Sequence, residues 1–327
     1  MNLQFKARIL LGLIASFSLT FQAARADDQT STYPDRPVTF VVGFSPGSSI
    51  DLVARVFGKS LSTTLQQPVV VENKSGAAGN IAAESVATAK PDGYRLLVIA
   101  NSIAIGPAIY KDLRFNAKKD LAAIAYIGKG PVILKVRKSL HIDNLKELIA
   151  YAKAHPGKLN YGSSGIGGTP HMATVLFEQV AGIKLTHIPY KGGAEALSAL
   201  MSGQVDLLIN PLLSDVGSDK VVSIAITGDK RSSLAPTVPT FTELGFPNYD
   251  LGVYYGLMSP KAVPDKIKDI LNASVNNALD DKDVVETLTD RSGIVLQKMS
   301  RQEFQDYLDH DTKLWKDVVA KTNIAPR

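Results

Sequence analysis

Val38-Thr39-Phe40-Val41-Val42-Gly43-Phe44-Ser45-Pro46-Gly47-Ser48-Ser49-Ile50-Asp51 passes from a β-branched apolar run, through a glycine and proline turn, into a capped segment. Val38 to Val42 predicts a buried strand and Asp51 to Leu65 a helix, with Ser48-x-x-Asp51 spaced as a capping box. A second stretch, Gly162-Ser163-Ser164-Gly165-Ile166-Gly167-Gly168-Thr169-Pro170-His171, repeats the arrangement more than a hundred residues on. There Leu159 to Tyr161 predicts the strand, Thr169 the N-cap, Pro170 the first helical residue and Gly182 the far end of the helix. Glycines let backbone approach a ligand, and a helix start offers unpaired N–H groups with a partial positive charge. Each turn can therefore hold a carboxylate or phosphate without a basic side chain. If the two belong to facing domains, the chain is a two-jawed binder of a small anion.

The alternation continues on both sides of these turns, which argues for parallel sheets with crossover helices. Strands are expected at Pro68 to Glu72, Leu96 to Ile99, Thr186 to Ile188, Val205 to Ile209, Val221 to Thr227 and Leu251 to Met258. Helices are expected at Ala78 to Ala89, Leu145 to Ala154, Pro170 to Ala181, Ala194 to Met201, Asp265 to Leu279, Val284 to Asp290 and Gln302 to Thr322. Ile124 to Ile127 and Val132 to Val136 read as strands flanking Gly128 and Gly130, a place where glycines could absorb the dihedral changes of a hinge. Ser233 to Phe246, rich in Pro, Thr and Gly, reads as irregular.

Lys6 and Arg8 precede an apolar run from Ile9 to Phe21, and Ala24-Arg25-Ala26 supplies the small residues that a signal peptidase requires. That run is shorter than the roughly 20 residues that span a bilayer. Export with cleavage behind Ala26, leaving a periplasmic chain, is the expectation. The chain has no cysteine, which removes disulfides, thiolate catalysis and cysteine metal sites together. The net charge of +5 overstates basicity, because Lys6, Arg8 and Arg25 would leave with the signal. No basic block marks a nucleic-acid partner.

Gly43-Phe44-Ser45-Pro46-Gly47 matches the G-x-S-x-G pattern of hydrolase nucleophile elbows and sits between strand and helix, so a secreted hydrolase using Ser45 is an alternative. The residue after that serine should donate its N–H to the oxyanion, and Pro46 has none. Gly165-Ile166-Gly167-Gly168-Thr169-Pro170 lacks the third glycine of a dinucleotide fingerprint, and no P-loop occurs. His171, in the first turn of a helix, is read as structural ahead of a ligand contact. The five histidines, at 141, 155, 171, 187 and 310, show no metal-ligand spacing.

Tyr33-Pro34-Asp35-Arg36-Pro37, the Pro46-Gly47 turn ending in Asp51, Val71-Glu72-Asn73-Lys74-Ser75-Gly76-Ala77-Ala78-Gly79-Asn80-Ile81 and Pro91-Asp92-Gly93-Tyr94 occur in this order. Pro156-Gly157-Lys158-Leu159-Asn160-Tyr161, Gly167-Gly168-Thr169-Pro170-His171, His187-Ile188-Pro189-Tyr190-Lys191-Gly192 and Gly203-Gln204-Val205-Asp206 follow. In order and spacing the series resembles the substrate-binding proteins of tripartite tricarboxylate transporters, the Bug-type family. The likeness runs over essentially the whole mature chain.

The resemblance implies an α/β periplasmic binding protein fold of type II, each domain a mainly parallel sheet flanked by helices and joined by crossover strands. Residues 1–26 would be the signal peptide, 27–131 with 253–327 one domain, and 132–252 the other. It implies a receptor, not an enzyme, that closes on a small carboxylate and delivers it to a membrane permease; apart from the resemblance, a ligand sensor feeding a membrane signalling partner is a further alternative. No cofactor and no metal are implied. Carried over, the family pattern places Ser48, Ser49, Ile50, Asn101 and Ser102 on the first jaw. Ser163, Ser164, Gly167, Gly168, Thr169 and His171 line the second, and Asp206 lies near the cleft floor. Two departures stand out. The family turn usually reads Pro-Gly-Gly-Gly-Thr-Asp, where this chain has Ser48, Ser49 and Ile50, and the stretch Leu212 to Val221 lacks a basic-glycine segment. A dicarboxylate, aromatic acid, amino acid or keto acid would satisfy the same backbone donors.

Overall fold

The computed structural model describes residues 33–211, 217–322 and 324; the expected signal segment and residues 212–216 lie outside them. Alternation along β1 (Val38–Val42) decides where the helices go. Phe40 and Val42 face α1 (Ser49–Thr64), whose Ile50, Val53, Ala54, Phe57 and Leu61 recur every three or four residues. Val41 points to the opposite face. Both faces are thus buried, which is why the strand reads as continuous apolar sequence. A fully buried side chain such as Phe57 or Leu61 contributes about 1.5–3 kcal/mol.

β2 (Val69–Asn73) pairs in parallel with β1, and after α2 (Asn80–Ala87), which packs on Val41, β3 (Arg95–Ile99) pairs in parallel on the other side. α3 (Ser102–Ile109) follows, a helix the sequence hides behind Gly106 and Pro107. Gly106 is needed because a Cβ there would sit 2.9 Å from Asn80 Oδ1.

After α4 (Ala117–Asp120) comes β4 (Leu121–Arg137), a single unbroken strand where the sequence suggests two. Gly128 and Gly130 are paired within it, opposite Tyr255 and Val253. A Cβ on Gly128 would collide with the Val295 carbonyl, and one on Gly130 would lie 3.2 Å from Ile294 Cγ1, so these glycines admit a segment packed across the strand.

The second run comprises α5 (Leu145–Ala154), β5 (Asn160–Ser163), α6 (Thr169–Ala181), β6 (Thr186–Pro189), α7 (Gly193–Met201), β7 (Leu207–Pro211) and β8 (Val221–Ile226). Leu207 and Ile209 face α5 and α6, while Leu208 faces α7. β9 (Gly252–Pro260), α8 (Asp265–Ala278), α9 (Lys282–Val284), β10 (Val295–Leu296) and α10 (Arg301–Ala320) complete the chain. Residues 285–290, read as ordinary helix from sequence, form a π-helical turn.

The strands order as β2-β1-β3-β9-β4-β7-β5-β6, with β8 and β10 also on β4. The flanks are parallel, but β9 is antiparallel to both β3 and β4, so the sheet is mixed. β4 changes partners at one point: residues up to Pro131 pair with β9, and those from Val132 pair with β7 and β8. α10 spans the change, burying Phe304 and Leu308 against Tyr126 and Tyr254, and Trp315 and Val319 against Ile105, Ile109 and Met172. Asp311, between these clusters, is pushed up to about 6 by burial. The Tyr254 hydroxyl and Trp315 indole N–H lie close enough to offset part of that, although neither they nor Asp311 Oδ2 closes a hydrogen bond. Among the described residues no helix is long and apolar enough to cross a membrane.

Candidate functional site

The first turn is braced from below by one carboxylate. Asp51 accepts the Gly47 N–H (2.9 Å), the Asn73 amide (2.8 Å) and two bonds from Arg55 (2.9 and 3.0 Å), while Asn73 also donates to the Phe44 carbonyl (3.0 Å). Burial alone would raise the pKa of Asp51, but these donors outweigh it and hold the carboxyl below its usual range. The expected capping box is therefore not formed. Asp51 reaches Gly47 instead of Ser48, and Ser48, at the N-cap of α1, makes no side-chain capping bond. Its hydroxyl is buried without a partner.

The second turn is braced by histidines. Ser163 Oγ lies 2.6 Å from His187 Nε2 and accepts the Gly165 N–H at 3.1 Å. His171 Nδ1 accepts the Gly167 N–H at 3.2 Å, and its ring packs 4.3 Å from that of His187. An accepting Nδ1 carries no proton, so His171 orders the turn with this nitrogen. The N-cap is Gly168, one residue earlier than the sequence suggests, so Thr169 opens the helix; Gly182 closes it in the left-handed conformation. A Cβ on Gly168 would meet Ser164 Oγ at 2.7 Å and the Gly165 carbonyl at 3.1 Å.

The two turns meet across a cavity of about 40 Å³ at the C-terminal ends of the strands, where α/β folds bind ligands. Of the expected contacts, Ser48, Ser49, Ile50, Ser164 and Thr169 line it. Asn101 and Ser102 do not. The Asn101 amide instead donates to the Gly252 carbonyl (3.1 Å), accepts the Tyr254 N–H (3.1 Å) and receives the Thr169 hydroxyl (3.4 Å), tying β9 to the second turn. Ser102 borders a neighbouring cavity of about 10 Å³ with Phe44 and Gly79. Ser163, Gly167, Gly168 and His171 stand behind the lining as the frame of the second turn. Asp206 lies at the other end of β7 from the lining residue Pro211, accepting from Arg137 Nε (2.7 Å) and the Asn160 N–H (2.8 Å).

Among the lining residues that the sequence did not single out, two matter most. Gly193 opens α7, so the N-termini of three helices, α1, α6 and α7, converge on the cavity. The Gly192-Gly193 pair before an apolar run was a readable sign of this. A Cβ on Gly192 would collide with Ser45 Oγ, so the third helix start packs directly on the first turn. Tyr255 is the other, and an apolar strand gave no hint that its hydroxyl would be buried without a bond, beside the Ser49 hydroxyl. Burial pushes that phenol well above its ordinary range.

No Lys, Arg, Asp or Glu lines the cavity. Positive potential there comes from the converging helix termini, and the hydroxyls of Ser48, Ser49, Ser164, Thr169 and Tyr255 supply further donors. Ser45 Oγ is buried with no hydrogen-bond partner, so no base stands ready to take its proton, and Pro46 offers no oxyanion donor. Among the described residues no group of three His, Asp or Glu could hold a metal ion.

The chain is similar to known proteins over most of its length. Residues 53–324 match the model of the tripartite tricarboxylate transporter family receptor. Protein BugT of Bordetella pertussis is 33% identical over 318 residues, covering 96% of this chain and 97% of that one. The structure of the periplasmic binding protein BugD superposes with a TM-score of 0.87 at 31% identity, covering 90% of this chain and all of that one. MatC from Rhodopseudomonas palustris with bound malate gives 0.83 at 32% identity, covering 88% and 100%. A further R. palustris protein with adipate gives 0.86 at 31%, covering 90% and 100%. The fold is thus that of periplasmic binding proteins, the hydrolase alternative falls away, and the chain belongs to the tripartite tricarboxylate transporter receptor family.

Proposed function

We propose that this receptor captures a small carboxylate, with a dicarboxylate first in line, between two lobes and hands it to the membrane permease of a tripartite transporter. The lobes are residues 27–131 with 253–327, and 132–252. The observation that carries the reading is the cavity itself: three helix N-termini and the unpartnered hydroxyls of Ser48 and Tyr255 meet where no charged side chain enters. Such a set favours an anion with several acceptor oxygens. Ser48, Ser49, Ser164, Thr169, Tyr255 and the N–H groups near Ile50 and Gly193 are the contacts proposed.

About 40 Å³ is small beside the roughly 300–1,000 Å³ of ordinary ligand pockets, so the lobes must part to admit a solute. The change of partners on β4 at Pro131 and Val132, with Gly252 and Val253 opposite, supplies the crossover about which they would turn. X-ray scattering tests this. Adding a tight carboxylate, found by thermal shift across a panel that includes malate and adipate, should lower the radius of gyration and return the acid unaltered. An unchanged profile with a bound ligand would refute the clamp.

A further inference from the structure

On the flank of the first lobe, away from the cleft, α3, α4, β9 and α10 enclose a groove of about 390 Å³, within the range of ordinary small-molecule sites. It shares no lining residue with the cleft. Its floor is apolar, formed by Ile103, Phe115, Met258 and Leu308. Four lysines stand on its walls. Lys118 is spent on Asp309 at 2.6 Å, the one acid in the lining. Lys119, Lys313 and Lys316 form no ion pair among the described residues. The groove therefore carries three uncompensated positive charges over an oily floor, in a chain whose charges otherwise nearly balance.

We propose that this groove is a second binding site, taking an organic anion with an apolar body, such as a medium-chain carboxylic acid. The chain would lie on the floor and exclude water there, while the carboxylate stayed among Lys119, Lys313 and Lys316 at the rim. Long lysine stems reach such a position with their ammonium groups in water, so the charge need not be desolvated. This differs from the cleft in physical kind, since the cleft holds its anion without any cationic side chain.

The protein carries its own reporter. Its single tryptophan, Trp315, is buried on α10 between Lys313 and Lys316. Decanoate, titrated below its micellar range, should change Trp315 emission saturably, and decanol should bind at least tenfold more weakly. The triple variant Lys119→Gln, Lys313→Gln, Lys316→Gln should lose at least tenfold in decanoate affinity. In Gly168→Val, where the cleft turn is blocked, decanoate binding should persist. Equal binding of decanol, an unaffected triple variant, loss of decanoate binding in Gly168→Val, or no saturable response to decanoate would each overturn the proposal. The decanol comparison needs no variant, so a misfolded triple mutant cannot leave the question open.

Discussion

Replacing Ser48 by alanine separates a ligand-binding hydroxyl from a helix cap, because the two roles predict opposite signs. An N-cap serine normally accepts a backbone N–H, and its loss costs about 0.5–2 kcal/mol. Ser48 occupies the N-cap of α1 but makes no such bond, and its oxygen is buried without a partner. A buried, unsatisfied polar group costs about 1–3 kcal/mol, so removing it should leave the ligand-free protein unchanged or about 1 kcal/mol more stable. For a chain of this size, at about 2.1 cal/mol/K of unfolding entropy per residue, that is a rise of about 1.5 °C in melting temperature. The bound state reverses the sign. A hydrogen bond to a charged group is worth about 1.5–3 kcal/mol, so affinity for the best carboxylate should fall about 10- to 150-fold. Calorimetry measures both quantities on the same two proteins. A drop in melting temperature with unchanged affinity would show that Ser48 serves the helix, and the assignment of the cavity would lose its strongest support.

Gly168→Val should weaken carboxylate binding by at least tenfold in a folded protein, since its Cβ would press on Ser164 Oγ at 2.7 Å; unchanged calorimetric affinity would contradict this. Asp311, whose folded pKa is raised to about 6 against about 3.9 when unfolded, keeps its proton in the native state through that interval. Stability should accordingly fall as pH rises from about 4 to 6, by at most about 3 kcal/mol, and Asp311→Asn should gain in urea denaturation at pH 8 but not at pH 4. Asp51 has the opposite sign. Its folded value is lowered, so its contribution is present above about pH 4 and is lost as pH falls through that depressed value. Asp51→Asn should cost about 1.5–3 kcal/mol at pH 7 and flatten the acid limb of the stability profile.

Much of the architecture was legible before any coordinates. β1, α1, α5, α6 and α8 each follow from apolar spacing, and the glycine turns mark strand-to-helix passages because few other residues permit them. α3 was not legible, because Gly106 and Pro107 are locally unfavourable to helix and only packing against Asn80 and α10 compensates. Nor was the unbroken course of β4. Its glycines look like a hinge in sequence, and only the approach of Ile294 to Leu296 shows that they are there for lack of a side chain.

At the site the same division holds. Sequence determined that two glycine-rich turns lead from strand to helix and that neither contains a basic residue, since both are properties of contiguous chain. Which atoms those turns leave free was decided by partners far away in sequence. Asn101 is consumed by β9, Ser163 by His187, and Asp206 by Arg137, whereas Ser48 and Tyr255 are left unbonded facing one cavity. A polar side chain's availability depends on whether a complementary group lies within about 3 Å, and that is fixed by packing between strands and helices that the linear order does not place side by side.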